Sequence, residues 1–81
     1  MHRRYILLAG ASKEQIEQTI LEFIGVLGWA RAAPLFVQRI GKDVVLAVER
    51  GSLDEVKAAF AASPLGIQVL RVSGTLKGLG R

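Results

Sequence analysis

The sequence has 81 residues, 51% of them hydrophobic, and no cysteine, so it encodes one small domain without disulfides, thiolate metal sites or cysteine nucleophiles. A chain without cysteine fits a reducing interior. The basic N-terminus is followed by only five apolar residues, which is too short for a signal peptide or a membrane span. We therefore expect a cytoplasmic protein with no membrane association. The high apolar fraction also predicts that some apolar surface meets another chain, including a second copy of this one.

The formal net charge of +4 is unevenly distributed along the chain. The two segments predicted as helices contain five of the seven acids and two lysines, which gives them a net charge of −3. The predicted strands, turns and tail sum to +7. The sheet side of the domain is therefore expected to face a polyanion, and scattered solubilising arginines are the alternative.

The first third of the chain predicts a strand followed by a helix. Arg3 to Ala9 is the strand, and its apolar residues on both faces favour a central position in a sheet. Ser12 and Gln15 then form a capping-box pattern. The helix is expected to end at Gly28. Its apolar stripe consists of Ile16, Ile20, Phe23, Ile24 and Leu27.

Two extended segments are predicted next. The first runs from Trp29 to Ile40, and Pro34 within it removes a backbone donor, so this strand is placed at a sheet edge. The second runs from Asp43 to Arg50 and is apolar on both faces. We therefore expect it to be the other central strand.

A second helix and a last strand complete the predicted elements. Ser52 and Glu55 repeat the capping-box pattern. The apolar stripe of this helix consists of Leu53, Val56, Ala59 and Phe60. Ser63-Pro64 is expected to stop the helix, and the final strand is expected from Gly66 to about Ser73.

The order βαββαβ with right-handed crossovers predicts a ferredoxin-like, or split βαβ, sandwich of the α+β class. Its four-stranded antiparallel sheet would have the order 4-1-3-2, with both helices on one face. The other face would carry either the Val45, Ala47, Glu49 set or the Val44, Leu46, Val48 set. Both sets are apolar enough to need a cover, so we expect a protein interface there. The candidate interface residues are Tyr5, Leu7, Val45, Ala47, Leu70 and Val72.

The end of the chain predicts a basic tail. After the last strand, Lys77 and Arg81 are interspersed with Gly74, Gly78 and Gly80, and the freedom of glycine disfavours regular structure. We expect a flexible segment over residues 75–81 that contacts a polyanion or a partner. A frayed terminus without function is the alternative.

The sequence predicts no catalytic residues and no metal site in this chain. Its one histidine, His2, lies beside the initiator methionine, so none of the serines has an evident general base. The acids lie mainly on predicted exposed helix faces, where solvated carboxylates are the simpler interpretation. Gly41-Lys42 lacks the upstream glycine of a phosphate-binding loop and is interpreted as a hairpin turn.

The chain resembles the archaeal and eukaryotic ribonuclease P protein component two family over nearly its whole length. The residues that carry the resemblance are Arg4-Tyr5-Ile6, Leu27-Gly28, Pro34-Leu-Phe36, Glu55-Val-Lys-Ala-Ala-Phe60 and Val72-Ser-Gly-Thr-Leu-Lys77. The Ser73-Gly74-Thr75 sequence with the following Lys77 is the most specific of them. The chain lacks the longer central insertion and C-terminal extension of many family members.

The resemblance implies a subunit of the ribonucleoprotein that removes the 5′ leader from precursor tRNA. In that family the RNA carries the catalysis with magnesium. The protein would be a subunit of an endoribonuclease and not an enzyme by itself, and it would bind no cofactor of its own. The resemblance also implies pairing with ribonuclease P protein component three, self-association, and the presence of precursor tRNA in the complex.

Phosphate contacts are the expected mode of RNA binding. The candidate residues are Arg3, Arg4, Arg39, Arg50, Arg71, Lys77 and Arg81. A small-molecule regulatory module of the same βαββαβ order is the alternative function, and it would bind a metabolite instead of RNA. A third possibility, stacking of bases on sheet aromatics, is disfavoured because Val44 to Val48 contains no aromatic residue.

Overall fold

The computed structural model describes residues 2–79 and has the predicted βαββαβ order. Its main elements are β1 (Arg3–Ala9), α1 (Lys13–Ala32), β2 (Leu35–Ile40), β3 (Asp43–Glu49), α2 (Leu53–Ala62) and β4 (Gln68–Ser73). Short 3-10 turns cover Arg50–Ser52 and Lys77–Leu79. The sheet order β2-β3-β1-β4 with antiparallel pairing confirms the ferredoxin-like α+β prediction.

The main core lies between the sheet and the two helices. Side chains alternate between the two faces along each central strand, so every second residue faces the helices. Residues paired directly across two strands, such as Ile6 and Leu46, lie on the same face of the sheet. This core contains Ile6, Leu8, Ile16, Ile20, Ala32, Val44, Leu46, Val48, Val56, Phe60 and Ile67. Both helices contribute to the same cluster, so they pack on one face of the sheet, as predicted.

A second, smaller apolar cluster lies on the opposite face of the sheet. Leu7 of β1 and Val45 of β3 are paired in the register, and both contact Leu79 from the end of the chain. Tyr5, Ile40 and Leu76 pack around these three residues. The face predicted to meet a partner is therefore covered, over this central region, by the C-terminal segment of the same chain.

Helix α1 is longer than predicted and is interrupted at a different glycine. Gly25 has φ 73° and ψ −178°, a conformation that is essentially restricted to glycine, so the helix kinks there. Gly28 does not end the helix, which continues to Ala32 and is followed by Ala33 in the left-handed region. The prediction that the chain is extended from Trp29 was therefore wrong for its first four residues.

The apolar stripe predicted for α1 is correct only for its three isoleucines. Ile16 and Ile20 are fully buried, and Ile24 packs at the edge of the core. Phe23 and Leu27 are exposed. For Leu27 the break at Gly25 explains this difference, because it rotates the second half of the helix away from the face that a regular 3.6-residue period would bury. Phe23 precedes the break, so its exposure is not explained by the kink.

The two predicted capping boxes had different outcomes. The Ser12 hydroxyl accepts a hydrogen bond from the Gln15 backbone N–H at 3.2 Å, and the Ser12 N–H donates to Gln15 Oε1 at 2.9 Å. This confirms the first box. Within residues 2–79, Ser52 makes no side-chain capping bond, because the 3-10 turn Arg50–Ser52 leads directly into α2. The second prediction was therefore wrong, although the stripe of α2 and its end before Ser63 are correct.

The edge strands lie where the sequence placed them, with small changes in their bounds. Pro34 comes just before β2, so its missing donor falls outside the ladder at the sheet edge. Strand β4 begins at Gln68 instead of Gly66, and its pairing with β1 contains a register shift that skips Leu70. No helix formed by residues 2–79 is long and apolar enough to cross a membrane.

Candidate nucleic-acid interface

The Ser73-Gly74-Thr75 sequence forms a turn held by two side-chain hydroxyls. The backbone N–H of Thr75 donates to Ser73 Oγ at 3.1 Å. The backbone N–H of Gly78 donates to Thr75 Oγ1 at 3.1 Å and also approaches the Thr75 carbonyl oxygen at 3.2 Å. Serine and threonine hydroxyls stabilise such turns because they accept from backbone N–H groups that a sheet or helix would otherwise pair. The turn reverses the chain after β4.

Residues 74–79, here called the strap, then cross the open face of the sheet. Leu79 is only 2% exposed. Its backbone N–H donates a hydrogen bond to the Leu76 carbonyl oxygen at 3.1 Å. Gly78 lies so close to Ser73 that a Cβ at this position would overlap the Ser73 hydroxyl. The strap therefore packs on the sheet through Leu76 and Leu79. The flexible tail expected over residues 75–81 stays a prediction, and two of its residues, Gly80 and Arg81, lie outside the described residues.

Three of the predicted RNA-binding arginines lie together at the end of the sheet where β1 begins and β3 ends. We call Arg3, Arg4 and Arg50 the cationic end. Strand pairing brings them together, because Arg3 is opposite Glu49 in the register and the backbone N–H of Arg50 donates to the His2 carbonyl at 2.9 Å. Arg50 is exposed, whereas Arg3 and Arg4 are half-buried.

The three arginines of the cationic end differ in what they contact. Arg3 donates from both terminal nitrogens to the carbonyl oxygen of Ala33, each at 3.1 Å, and so caps the C-terminal end of α1. Arg4 donates to the Arg3 carbonyl at 3.2 Å and lies beside Gly74, where the strap begins. Arg3 therefore has a structural role, while Arg50 presents its guanidinium to solvent.

The remaining candidate cations lie on the strap, on β4 and on β2. Lys77 is exposed on the strap, and Arg71 on β4 donates to the Gly78 carbonyl oxygen at 3.5 Å, which ties the strap to the sheet edge. Arg39 lies on β2, at the opposite edge of the sheet. It lines a cleft of about 150 Å³ with Lys13, whose Nζ is 5.5 Å from the centroid of the Phe36 ring. Arg39 is therefore separate from the other candidates.

The predicted interface residues fall into three environments. Leu7, Val45 and Ala47 are buried within the chain, and Tyr5 is half-buried beside the strap. Leu70 is exposed at the register shift of the edge strand. Val72 packs against the helix-side core, because it is paired with Ile6 and not with a residue of the open face. Leu70 is skipped in the pairing with β1, so the alternation of faces is interrupted there and Val72 lies on the helix side.

Sequence reasoning missed an exposed apolar surface at the kink of α1. Val26 and Leu27 are each 76% exposed, and Phe23 is 48% exposed. Gly25 in the middle of an otherwise regular helix was the available signal, because an interior glycine often marks a break. Gly28, the predicted end of the helix, lies inside it.

The described chain offers little chemistry beyond charge and apolar surface. Within residues 2–79 there is no group of three or more His, Cys, Asp or Glu side chains that could hold a metal ion. One carboxylate oxygen, Glu49 Oε2, is buried and has no hydrogen-bond partner in this part of the chain. In the sheet register, Glu49 of β3 is paired with Arg3 of the neighbouring strand β1.

The fold and the site define a small ferredoxin-like α+β domain with a cationic end and a packed C-terminal strap. No protein-family model matches this chain, and no curated protein matches it.

Proposed function

We propose that this chain is an RNA-supporting protein subunit of ribonuclease P, which contacts the catalytic RNA through phosphates and contributes no catalytic residue. The observation that carries the proposal is the grouping of Arg4 and Arg50 at one end of the sheet, beside the turn from which the strap presents Lys77. Such a group of cations on rigid strand ends holds phosphates at fixed positions without reading base sequence.

The distribution of charge in the fold supports a surface for a polyanion. Within residues 2–79, the two helices contain five acids and three bases, because the longer α1 includes Arg31. The strands, turns and strap of the same residues contain seven bases and two acids. A polyanion is therefore attracted to the strand ends and the strap and repelled from the outer helix surface.

The packing of the open sheet face favours phosphate contacts over base stacking. RNA-recognition domains of the sheet type stack bases on aromatic residues of an exposed sheet. Here the strap covers that face, and Tyr5 packs with Leu7, Val45 and Leu79. The strap also disfavours the alternative function, a small-molecule regulatory module. The sheets of two such domains could pair through this face only if the strap were first removed.

The resemblance to the ribonuclease P protein component two family is the reason for proposing ribonuclease P RNA as the bound RNA. In that family the Ser73-Gly74-Thr75 sequence precedes the lysine at position 77, and here these residues form the hydroxyl-bonded turn that positions Lys77. Neutralising phosphates near the catalytic RNA domain would lower the repulsion that magnesium otherwise has to screen. The same proposal includes pairing with component three, self-association, precursor tRNA as substrate of the complex and a cytoplasmic location.

Reconstitution tests the proposal directly. The ribonuclease P RNA and component three from the same organism are mixed with precursor tRNA, with and without this chain, and 5′-leader removal is titrated with magnesium. We expect the chain to lower the magnesium concentration at half-maximal cleavage. An unchanged magnesium midpoint, together with no binding of the chain to the RNA, would show that the proposal is wrong.

A further inference from the structure

We infer that the cleft between the start of α1 and strand β2, here called the β2 cleft, binds the phosphate group of a small phosphomonoester. The β2 cleft has a volume of about 150 Å³. Its two charged residues, Lys13 and Arg39, are both cations, so an anion is the ligand that its charge favours. The full set of lining residues is Lys13, Phe36, Val37, Gln38, Arg39 and Val44.

An irregularity in β2 brings Arg39 to the β2 cleft. Leu35 is paired with Ala47, whose partner on β1 is Tyr5 of the open face. Arg39 is paired with Val44 of the helix-side core. In a regular strand Leu35 and Arg39, four residues apart, would share a face, so the register shift between them moves Arg39 to the helix side. Without this shift Arg39 would lie on the open face, away from α1.

Lys13 reaches the β2 cleft from the helix side. It is the first residue of α1, and its Nζ lies 5.5 Å from the centroid of the Phe36 ring. A cation at this distance is attracted to an aromatic ring, and the ring itself packs against the main core. Within residues 2–79, neither Lys13 nor Arg39 forms an ion pair with an acid. Both charges are therefore available to a ligand.

The charge and the size of the β2 cleft favour a phosphomonoester over other anions. A phosphomonoester carries a charge of about −1.5 to −2 at pH 7, which two cations balance, and its oxygens accept hydrogen bonds from both. The volume of about 150 Å³ is smaller than that of typical ligand pockets, so the cleft holds the phosphate and the atoms next to it. Phe36 and Val37 offer those atoms an apolar contact, and the rest of the molecule lies outside.

RNA fits the β2 cleft less well than a small molecule does. Glu14 and Glu17 are exposed on α1, one and four residues after Lys13. An RNA strand in the cleft would extend along this acidic part of the helix and be repelled. A small molecule places a single phosphate between the two cations and avoids this repulsion.

The β2 cleft is far from the cationic end. Val44, the partner of Arg39, is also paired with Leu8, and Leu8 lies five residues along β1 from Arg3. At about 3.4 Å per residue this separation is about 17 Å, which is too far for one phosphate group to contact both places. The inference is therefore independent of the proposed RNA surface.

The probes for a binding test are inorganic phosphate and adenosine 5′-monophosphate, with adenosine as the matched compound that lacks the phosphate. At constant ionic strength, we expect saturable changes in the amide chemical shifts of Lys13 and of residues 36–39 with both phosphates and none with adenosine. Lys13→Gln with Arg39→Gln should weaken the binding of adenosine 5′-monophosphate about tenfold or more, because each cation contributes a charge-assisted hydrogen bond.

The control variant Arg50→Gln with Lys77→Gln removes the same charge from the cationic end and the strap. It should leave the affinity for adenosine 5′-monophosphate unchanged and weaken RNA binding, so failure of this inference and failure of the proposed function give different results. The inference is wrong if adenosine 5′-monophosphate does not bind or if both double variants weaken its binding equally. It is also wrong if loss of Lys13 and Arg39 weakens only RNA binding, which would make the β2 cleft an RNA contact.

Discussion

The two faces of the sheet are covered in different ways. The helix-side face is covered by two helices whose buried residues recur at helical spacing, and it contains the largest buried side chains, including Phe60. The open face is covered by a six-residue strap that contributes Leu76 and Leu79 and is held by two hydroxyl groups. The first cover determines whether the domain folds. The second holds Lys77 on a segment that begins beside Arg4.

The largest expected effect is on the helix-side cover. Phe60→Ala would leave a cavity in the main core, because this side chain is 2% exposed and contacts residues of both sheet and helices. Changes of this kind cost about 3 to 5 kcal/mol, which is comparable to the whole stability of a domain of this size. We expect urea denaturation followed by circular dichroism to show a largely unfolded variant. A folded variant with near wild-type midpoint would contradict the assignment of this cluster as the main core.

A smaller effect is expected when the strap is displaced. Gly78→Ala would place a methyl group against the Ser73 hydroxyl and 3.0 Å from Ser73 Cβ, so the strap must move. We expect a loss of about 1 to 3 kcal/mol and faster hydrogen exchange at the amides of Gly78 and Leu79, while the helices remain protected. Gly51→Ala is the matched control, because a Cβ there meets nothing within 4 Å. Equal behaviour of the two variants would mean that the strap is not packed as described.

The smallest stability effect concerns the turn that starts the strap. Thr75→Val keeps the shape of the side chain but removes one of the two acceptors of the Gly78 N–H and leaves the Thr75 carbonyl, so the loss should be at most about 1 kcal/mol. Thr75→Ser keeps the hydroxyl and should remain close to wild type. Denaturation midpoints of the two variants provide the measurement, and a Val variant as stable as the Ser variant would show that this hydrogen bond contributes nothing.

Most of the helix-side face could be predicted from the sequence, because it depends on local patterns. The continuous apolar runs of β1 and β3, the Ser12 capping box and the Val56 to Phe60 stripe each specify an element without knowledge of its neighbours. The choice between Gly25 and Gly28 as the break was different. Both glycines lie within an apolar helix, and no local pattern in the sequence distinguishes the one that adopts a positive φ.

The open face was predicted less well, because its cover depends on contacts distant in sequence. Leu76 and Leu79 lie among glycines, and nothing local indicates that they fold back on Leu7 and Val45. The skipped residue Leu70 reversed the faces of β4, which a period of two does not reveal. Of the candidate RNA contacts, the sequence predicted the residue types and, through the order 4-1-3-2, the position of Arg39 at the far edge, but not that Arg3 would cap α1.

The most direct test of the central claim is the salt dependence of RNA binding by two double variants with the same net charge. Arg50→Ala with Lys77→Ala removes exposed cations from the proposed RNA surface, and Arg31→Ala with Lys57→Ala removes exposed cations from the helices. For ribonuclease P RNA, we expect the first pair to weaken binding and to flatten the plot of log affinity against log salt by about 0.7 to 0.9 per lost contact. The second pair should leave that slope near wild type. Equal flattening by both pairs, or flattening by the helix pair alone, would contradict the proposed RNA surface.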